Sequence, residues 1–296
     1  MKAAVIGCNG YIGKHLSLFL QQQGWEVYGY GKKPTCDLNI SGYTSLDIQL
    51  KSDFDRFDTQ VDYVFYFSGI TGTAAAYNTY ENYIDVNEKG LLHLLNKVRT
   101  ASQKPRIVFP SSRLVYKGVA NTLLSEDAEK EFKTIYALNK WFGEQVVQQF
   151  SNYFDVPFSI FRICVPYGNL FADSYSYGTI GFFLTKAKAG EPITLFGEGE
   201  PKRTFTHVED ICLQIYHALS KEGSVNNTLN ISGETFSLKE VAEQIAAKYS
   251  VTVEFKDWPK MDASLESGDT IFDGSRISQL IQKPLKNSFQ TWLQSI

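Results

Sequence analysis

The strongest constraint on this chain lies in its first twenty residues. A short apolar run, Ala3-Ala-Val-Ile6, passes at once into Gly7-Cys-Asn-Gly10-Tyr-Ile-Gly13, and a helical pattern with Leu16, Phe19 and Leu20 on one side follows. A strand, a glycine turn and a helix in that order aim the free N–H groups of a helix N-terminus at one point. Those donors lack intrahelical partners, and the helix dipole favours negative charge beside them. The glycines permit the turn and the close approach of a pyrophosphate. The segment therefore predicts a dinucleotide-binding unit with Gly7, Asn9, Gly10, Tyr11, Ile12 and Gly13 facing the cofactor.

The first half of the chain keeps the same rhythm. Apolar runs at Glu26–Tyr30, Tyr63–Phe67 and Arg106–Pro110 alternate with helical patterns around Tyr80–Arg99 and Phe132–Phe150, and Phe158–Cys164 reads as a further buried strand. This predicts an α/β fold of Rossmann type, a doubly wound parallel sheet with helices on both faces. The run from Tyr63 ends at Phe67-Ser68-Gly69. Ligands of such sheets lie along the carboxyl ends of the strands, so these three residues join the cofactor set. After Pro166 the alternation breaks down. Residues 1–165 are expected to form the dinucleotide-binding domain and 166–296 a smaller, mixed C-terminal substrate-binding lobe, with a strand near 228–232 returning to the main sheet.

Composition narrows the function classes. Lys and Arg number 29 against 32 Asp and Glu, a net charge of −3, and no basic cluster argues for nucleic acid as a partner. No apolar run approaches the roughly 18 residues of a membrane span. The four cysteines, Cys8, Cys36, Cys164 and Cys212, have neither paired spacing nor a histidine at ligand distance, so no metal site is expected. Isolated thiols suit a cytoplasmic protein.

Two further stretches carry chemistry. The second strand ends in Val27-Tyr-Gly-Tyr30, where an NAD-binding chain usually places an acid for the adenosine ribose, yet Gly31-Lys32-Lys33 follows. Nothing there repels a 2′-phosphate and two ammonium groups attract one, which favours NADP(H), with NAD as the alternative. Tyr136-Ala-Leu-Asn-Lys140 places a phenol and an ammonium on one helical face. A neighbouring cation lowers the pKa of a phenol and fits it for acid–base work, and the lysine also reaches toward a ribose. Upstream, the strand ending in Pro110-Ser111-Ser112-Arg113-Leu114 offers a hydroxyl to hold a carbonyl oxygen beside the tyrosine.

Together these pieces resemble the extended short-chain dehydrogenase/reductases, the nucleotide-sugar epimerase/dehydratase/reductase family. The resemblance runs through Gly7/Gly10/Gly13, Asp47-Ile48, Asn87-Glu-Lys-Gly90, Ser111-Ser112 with Val115-Tyr116, Tyr136/Lys140, Arg162 through Gly168, Arg203 through Asp210, and Phe272-Asp273. It implies Ser112, Tyr136 and Lys140 as catalytic residues, with Lys140 lowering the Tyr136 pKa. Asp47 and Ile48 would contact the adenosine end, beside Gly31, Lys32 and Lys33. Ser112, Arg113, Asn169, Arg203 and Asp269 would contact a nucleotide-sugar substrate, Arg203 at its diphosphate. The helices near Tyr80–Arg99 and Phe132–Phe150 resemble those that pair into a homodimer.

Within that family, dehydratases place an Asp-Glu pair where this chain has Arg113-Leu114, which argues against water elimination. Gly31-Lys32-Lys33 favours a 4-ketoreductase that consumes NADPH over a 4-epimerase that retains NAD. Glu266 stands where UDP-galactose epimerases carry a diphosphate-binding arginine, which points away from UDP-hexoses toward a dTDP-, CDP- or GDP-linked 4-keto-6-deoxyhexose. A catalytically idle NADP sensor on the same fold is the alternative from a different class.

Overall fold

The computed structural model describes residues 1–72, 75–171 and 177–296. Its layering follows from the first strand, β1 (Lys2–Ile6). Ala3 and Val5 enter one buried cluster with Leu16, Phe65 and Ile211, while Ala4 and Ile6 enter another with Val64, Leu91 and Val147. Alternate residues of a strand point to opposite faces, so a strand apolar on both must sit inside a sheet covered on both sides. Each fully buried Val, Leu, Ile or Phe side chain contributes about 1.5–3 kcal/mol.

The first half continues with α1 (Tyr11–Gln22), β2 (Glu26–Gly31), β3 (Gly42–Ser45), β4 (Tyr63–Tyr66), α2 (Tyr80–Ile84) and α3 (Gly90–Val98). Then come β5 (Arg106–Ser112), β6 (Leu123–Leu124), α4 (Ile135–Phe154) and β7 (Phe158–Ile163). The second half holds β8 (Val165–Tyr167), α5 (Gly178–Lys188), β9 (Ile193–Phe196), β10 (Lys202–His207), α6 (Val208–Leu219), β11 (Asn227–Asn230) and β12 (Glu234–Ser237). It closes with α7 (Leu238–Tyr249), β13 (Val253–Lys256), α8 (Lys260–Leu265), β14 (Ile271–Phe272), α9 (Ser275–Ile281) and α10 (Phe289–Ser295).

The seven-stranded sheet has the order β3-β2-β1-β4-β5-β7-β11 with every pairing parallel. The strand order reverses between β1 and β4, and the crevice at their carboxyl ends is where a doubly wound sheet receives its ligand. The returning strand is β11, paired with β7 from Asn227↔Ser159 to Asn230↔Arg162. Beyond β7, a smaller mixed sheet sets β10 between β8, parallel, and β12, antiparallel. Its core gathers Tyr167, Phe183, Phe205, Ile245 and Phe289. Among the described residues no helix is long and apolar enough to cross a membrane, and no group of three or more metal-ligating side chains forms.

Two boundaries differ from the periodicity. The helix expected from Phe132 begins at Ile135, because Thr134 adopts extended backbone and its hydroxyl accepts the Ala137 N–H at 3.0 Å, a side-chain cap. The helix expected over Tyr80–Arg99 is interrupted by a π-turn at Asp85–Lys89. That turn brings Asn87 inward: its Oδ1 accepts the Ile70 N–H and its Nδ2 donates to Ile70 O, both at 3.0 Å. Asn87 thus pins the loop after β4, as π-turns often do near functional sites.

Candidate active site

The turn between β1 and α1 is shaped by what a side chain would strike. Gly7 sits at φ +91°, and a Cβ there would stand 2.6 Å from the Phe67 carbonyl carbon and the Ser68 nitrogen. A Cβ on Gly13 would stand 2.1 Å from Gly7 O. The turn therefore lies flush on the end of β4, a cradle that added side chains would fill. Gly10 caps α1 without offering a side-chain acceptor, and the first turn holds no acid. Its N–H groups and dipole fit a pyrophosphate.

From this turn opens a cavity of about 480 Å³ whose cofactor-side wall is Gly10, Tyr11, Ile12, Phe67, Ser68 and Gly69. A neighbouring cavity of about 300 Å³ shares Ser68 and Gly69 and extends to Lys32, Asp47 and Ile48, the adenosine end of the predicted set. There the Lys32 ammonium lies 2.8 Å from Asp47 Oδ2. Lys33 is exposed and has no ion pair among the described residues. Asn9 does not face the large cavity; its Nδ2 donates to the Tyr43 hydroxyl at 3.2 Å, and that hydroxyl donates to Gly31 O at 2.9 Å. Asn9 and Gly31 thus tie the glycine turn to the loop after β2.

The opposite wall of the larger cavity is Ser112, Arg113, Tyr136 and Lys140. Parallel pairing of β5 with β7, ending at Ser112↔Ile163, delivers Ser112 to the crevice, and the start of α4 delivers Tyr136 and Lys140. Burial raises the Tyr136 phenol above its usual pKa, Tyr177 adds to this, and a hydrogen bond with Ser112 works the other way. Lys140 donates to Pro110 O at 2.7 Å, with its ammonium 5.7 Å from the Tyr136 ring centre. Burial pushes Lys140 down to about 8, against the pull of Glu144 one turn along α4. In this geometry the ammonium is turned to a carbonyl, and desolvation is the largest influence on the phenol.

The substrate set is only partly assembled. Arg113 lines the cavity and donates to Ser267 Oγ at 3.0 Å and Thr270 Oγ1 at 3.3 Å. Burial pushes its guanidinium down to about 10, with Arg203 acting in the same sense. Arg203 itself is 2% exposed and does not reach the cavity wall; it donates to Glu266 Oε1 at 2.5 Å and to the carbonyls of Lys202 and Gly268. Asp269 spends both oxygens on backbone, accepting Lys202 N–H and Asn121 N–H at 2.8 Å each. Asn169 accepts the Phe171 N–H at 3.2 Å and adjoins His15 behind α1. Three of the five expected contacts therefore serve the local frame.

Other participants carry no assigned role in the sequence reading, although Ser111, Tyr116 and Arg162 lie within its matched motifs. Beneath Ser112, Ser111 donates to Glu144, whose carboxylate is held by Arg162 at 2.9 and 2.6 Å, and Arg162 also donates to the Tyr116 hydroxyl at 2.7 Å. This paired and fully hydrogen-bonded network fixes the end of β5. Tyr177, before α5, stacks on Tyr11 at 4.2 Å and joins the cavity wall. These contacts span long sequence separations, so no spacing announces them.

A family model described as NAD dependent epimerase/dehydratase family matches residues 3–232. The CDP-paratose 2-epimerase of Salmonella typhi is 24% identical, with 88% of each chain covered. A dTDP-4-dehydro-6-deoxy-D-allose reductase of Streptomyces bikiniensis is 25% identical over 82% of this chain and 79% of its own. Among solved structures, the UDP-glucuronic acid 4-epimerase of Bacillus cereus, in complex with UDP-glucuronic acid and NAD, superposes with a TM-score of 0.84 at 22% identity, covering 99% of this chain and 97% of that one. That likeness is one of fold.

Proposed function

This chain belongs to the NAD dependent epimerase/dehydratase family, and from that premise we propose that it reduces the C4 keto group of a nucleotide-linked 4-keto-6-deoxyhexose, a dTDP-, CDP- or GDP-sugar, at the expense of NADPH. The observation that carries the choice of reductant is the end of β2, where Gly31-Lys32-Lys33 offers cations and no carboxylate of its own to the ribose. The resemblance to the Streptomyces bikiniensis reductase supports the reaction type.

Bound at the glycine turn, the cofactor supplies the hydride that C4 receives. The chain supplies the proton and the geometry. Ser112 Oγ holds the carbonyl oxygen, and the Tyr136 hydroxyl gives that oxygen its proton. A phenol whose pKa is raised by burial stays protonated at neutral pH, the form that a proton donor needs. As the phenolate forms, the Lys140 ammonium on the same helical face stabilises its charge, and the phenol regains its proton from solvent after the product leaves. Phe67, Ile12 and Leu114 give the cavity an apolar stretch of wall.

One observation favours a second reading, an NAD-dependent 4-epimerase. Lys32 is drawn to Asp47 at 2.8 Å, and Lys33 is left with no ion pair among the described residues. The test is oxidation of NADPH, and separately NADH, by a panel of 4-keto-6-deoxy nucleotide sugars, with Tyr136→Phe as control. Stoichiometric oxidation that Tyr136→Phe removes supports the reductase. A fully active Tyr136→Phe protein overturns the assignment of the proton donor.

A further inference from the structure

The cavity at Ser112 does not end with the sugar-sized space around Tyr136. Arg113 and Leu114 are walls shared with a second cavity of about 130 Å³, whose other walls are Trp258, Asp262, Leu265, Glu266 and Ser267. The first cavity carries a hydroxyl and a phenol, the shared wall a guanidinium, and the second cavity an indole and two carboxylates. The guanidinium forms no ion pair among the described residues; its Nη1 rests on the hydroxyls of Ser267 and Thr270. The indole is half-buried and braced by Phe196, with ring centres 5.4 Å apart.

The two carboxylates differ in commitment. Glu266 spends Oε1 on Arg203 and on the Gly268 N–H. Asp262, half-buried on the short helix α8, makes no hydrogen bond or ion pair with any described residue. A partnerless carboxylate beside an aromatic plate is an acceptor for N–H groups on a flat ring.

We propose that this second cavity reads the base of the nucleotide sugar, and that it selects a base with an exocyclic amine on its pairing edge, guanine before cytosine, over uracil and thymine. The proposal rests on the reading of the site as one for nucleotide sugars, and it names the nucleotide. Arg113, at the junction, takes the diphosphate, for which a guanidinium is geometrically suited. Trp258 provides the stacking face, because every base has a flat π-face that an aromatic ring can cover. Asp262 accepts from the pairing edge. Guanine presents N1–H and N2–H side by side and can fill both oxygens of a carboxylate. Cytosine presents an amine alone. Uracil and thymine present a single N3–H between two carbonyl oxygens, which a carboxylate repels. The acids also keep the phosphates from sliding past Arg113 into the base cavity.

Calorimetric titration of the NADPH-loaded protein with GDP, CDP, UDP and dTDP tests this without any need for turnover. GDP is expected to bind at least tenfold more tightly than UDP or dTDP, with CDP between them. Asp262→Asn, a change on a short surface helix, is expected to erase that difference and leave NADPH affinity unchanged. Trp258→Leu is expected to weaken all four about equally. Arg113→Met should weaken all four diphosphates far more than the four free nucleosides. UDP or dTDP binding as tightly as GDP overturns the proposal, as does a guanine preference that survives Asp262→Asn, or no binding of any of the four. A guanine preference without reduction of any keto sugar would instead refute the assigned reaction and leave the base site standing.

Discussion

Arg203 Nη2 lies 2.5 Å from Glu266 Oε1, and with the arginine only 2% exposed the pair is set into the floor between β10 and the segment after α8. The cation that sequence reasoning assigns to the substrate's diphosphate is thus neutralised by the very residue that departs from the pattern of the UDP-galactose epimerases. Of the two arginines, Arg113 is the one that faces the cavity. Glu266→Gln would leave a buried guanidinium with carbonyl partners alone, at a cost of about 2–4 kcal/mol, toward the low end for broken buried pairs because Glu266 keeps some solvent contact. Urea unfolding of the variant measures it.

Gly13 has no room for a methyl group. Gly13→Ala would drive a Cβ against Gly7 O, at 2.1 Å in the present backbone, and force the glycine turn off the end of β4. Dinucleotide affinity should fall by more than tenfold, about 1.4 kcal/mol. Protein fluorescence or calorimetric titration with NADPH checks this, and circular dichroism confirms that the fold persists.

Lys140 gives cofactor binding a pH dependence with a defined sign. Burial disfavours the charge and pushes its ammonium down to about 8. The phosphates and ribose oxygens of a dinucleotide favour the charged form, so binding should take up a proton above pH 8 and affinity should fall as pH rises through that value. For stability the sign is opposite in origin: a lysine whose folded pKa lies below its unfolded value of about 10.5 destabilises the fold while protonated, and stability recovers as pH rises from about 8 toward 10.5. Lys140→Met should abolish the proton uptake, read by calorimetry in buffers of different ionisation enthalpy.

Lys32 and Lys33 should contribute unequally to cofactor choice. Lys32 is already paired with Asp47, whereas Lys33 has no ion pair among the described residues. Lys33→Glu is expected to weaken NADPH binding at least tenfold with little effect on NADH, and Lys32→Ala to do less. Equal affinities for NADPH and NADH in the unaltered protein would favour the epimerase reading.

Much of this architecture is legible because its causes are local. Gly7, Gly10 and Gly13 stand directly between a strand and a helix, so their steric role can be read from adjacency, and Tyr136 and Lys140 share a helical face by spacing alone. The starts of helices are less legible: Thr134 as a cap and the π-turn that turns Asn87 inward depend on side-chain hydrogen bonds that compete with periodicity. The substrate side was the least legible. Arg203 and Glu266 are 63 residues apart, and their pairing depends on how β10 packs against the segment after α8. Motif matching treats Arg203 as a free cation, whereas folding gives it a partner. Asp262 and Trp258 belong to no motif, and only the shared walls of two cavities bring them to the site.

A single reductive transfer to a nucleotide-linked 4-keto sugar is read most directly from reduced-nicotinamide absorbance when the protein meets NADPH and a panel of GDP-, CDP-, dTDP- and UDP-linked 4-keto-6-deoxyhexoses. Stoichiometric oxidation of NADPH with the GDP- or CDP-linked sugar, slower oxidation of NADH, and loss of turnover in Tyr136→Phe are expected. Protein that purifies with tightly held NAD, oxidises no NADPH with any sugar of the panel, and interconverts nucleotide-sugar 4-epimers would contradict it.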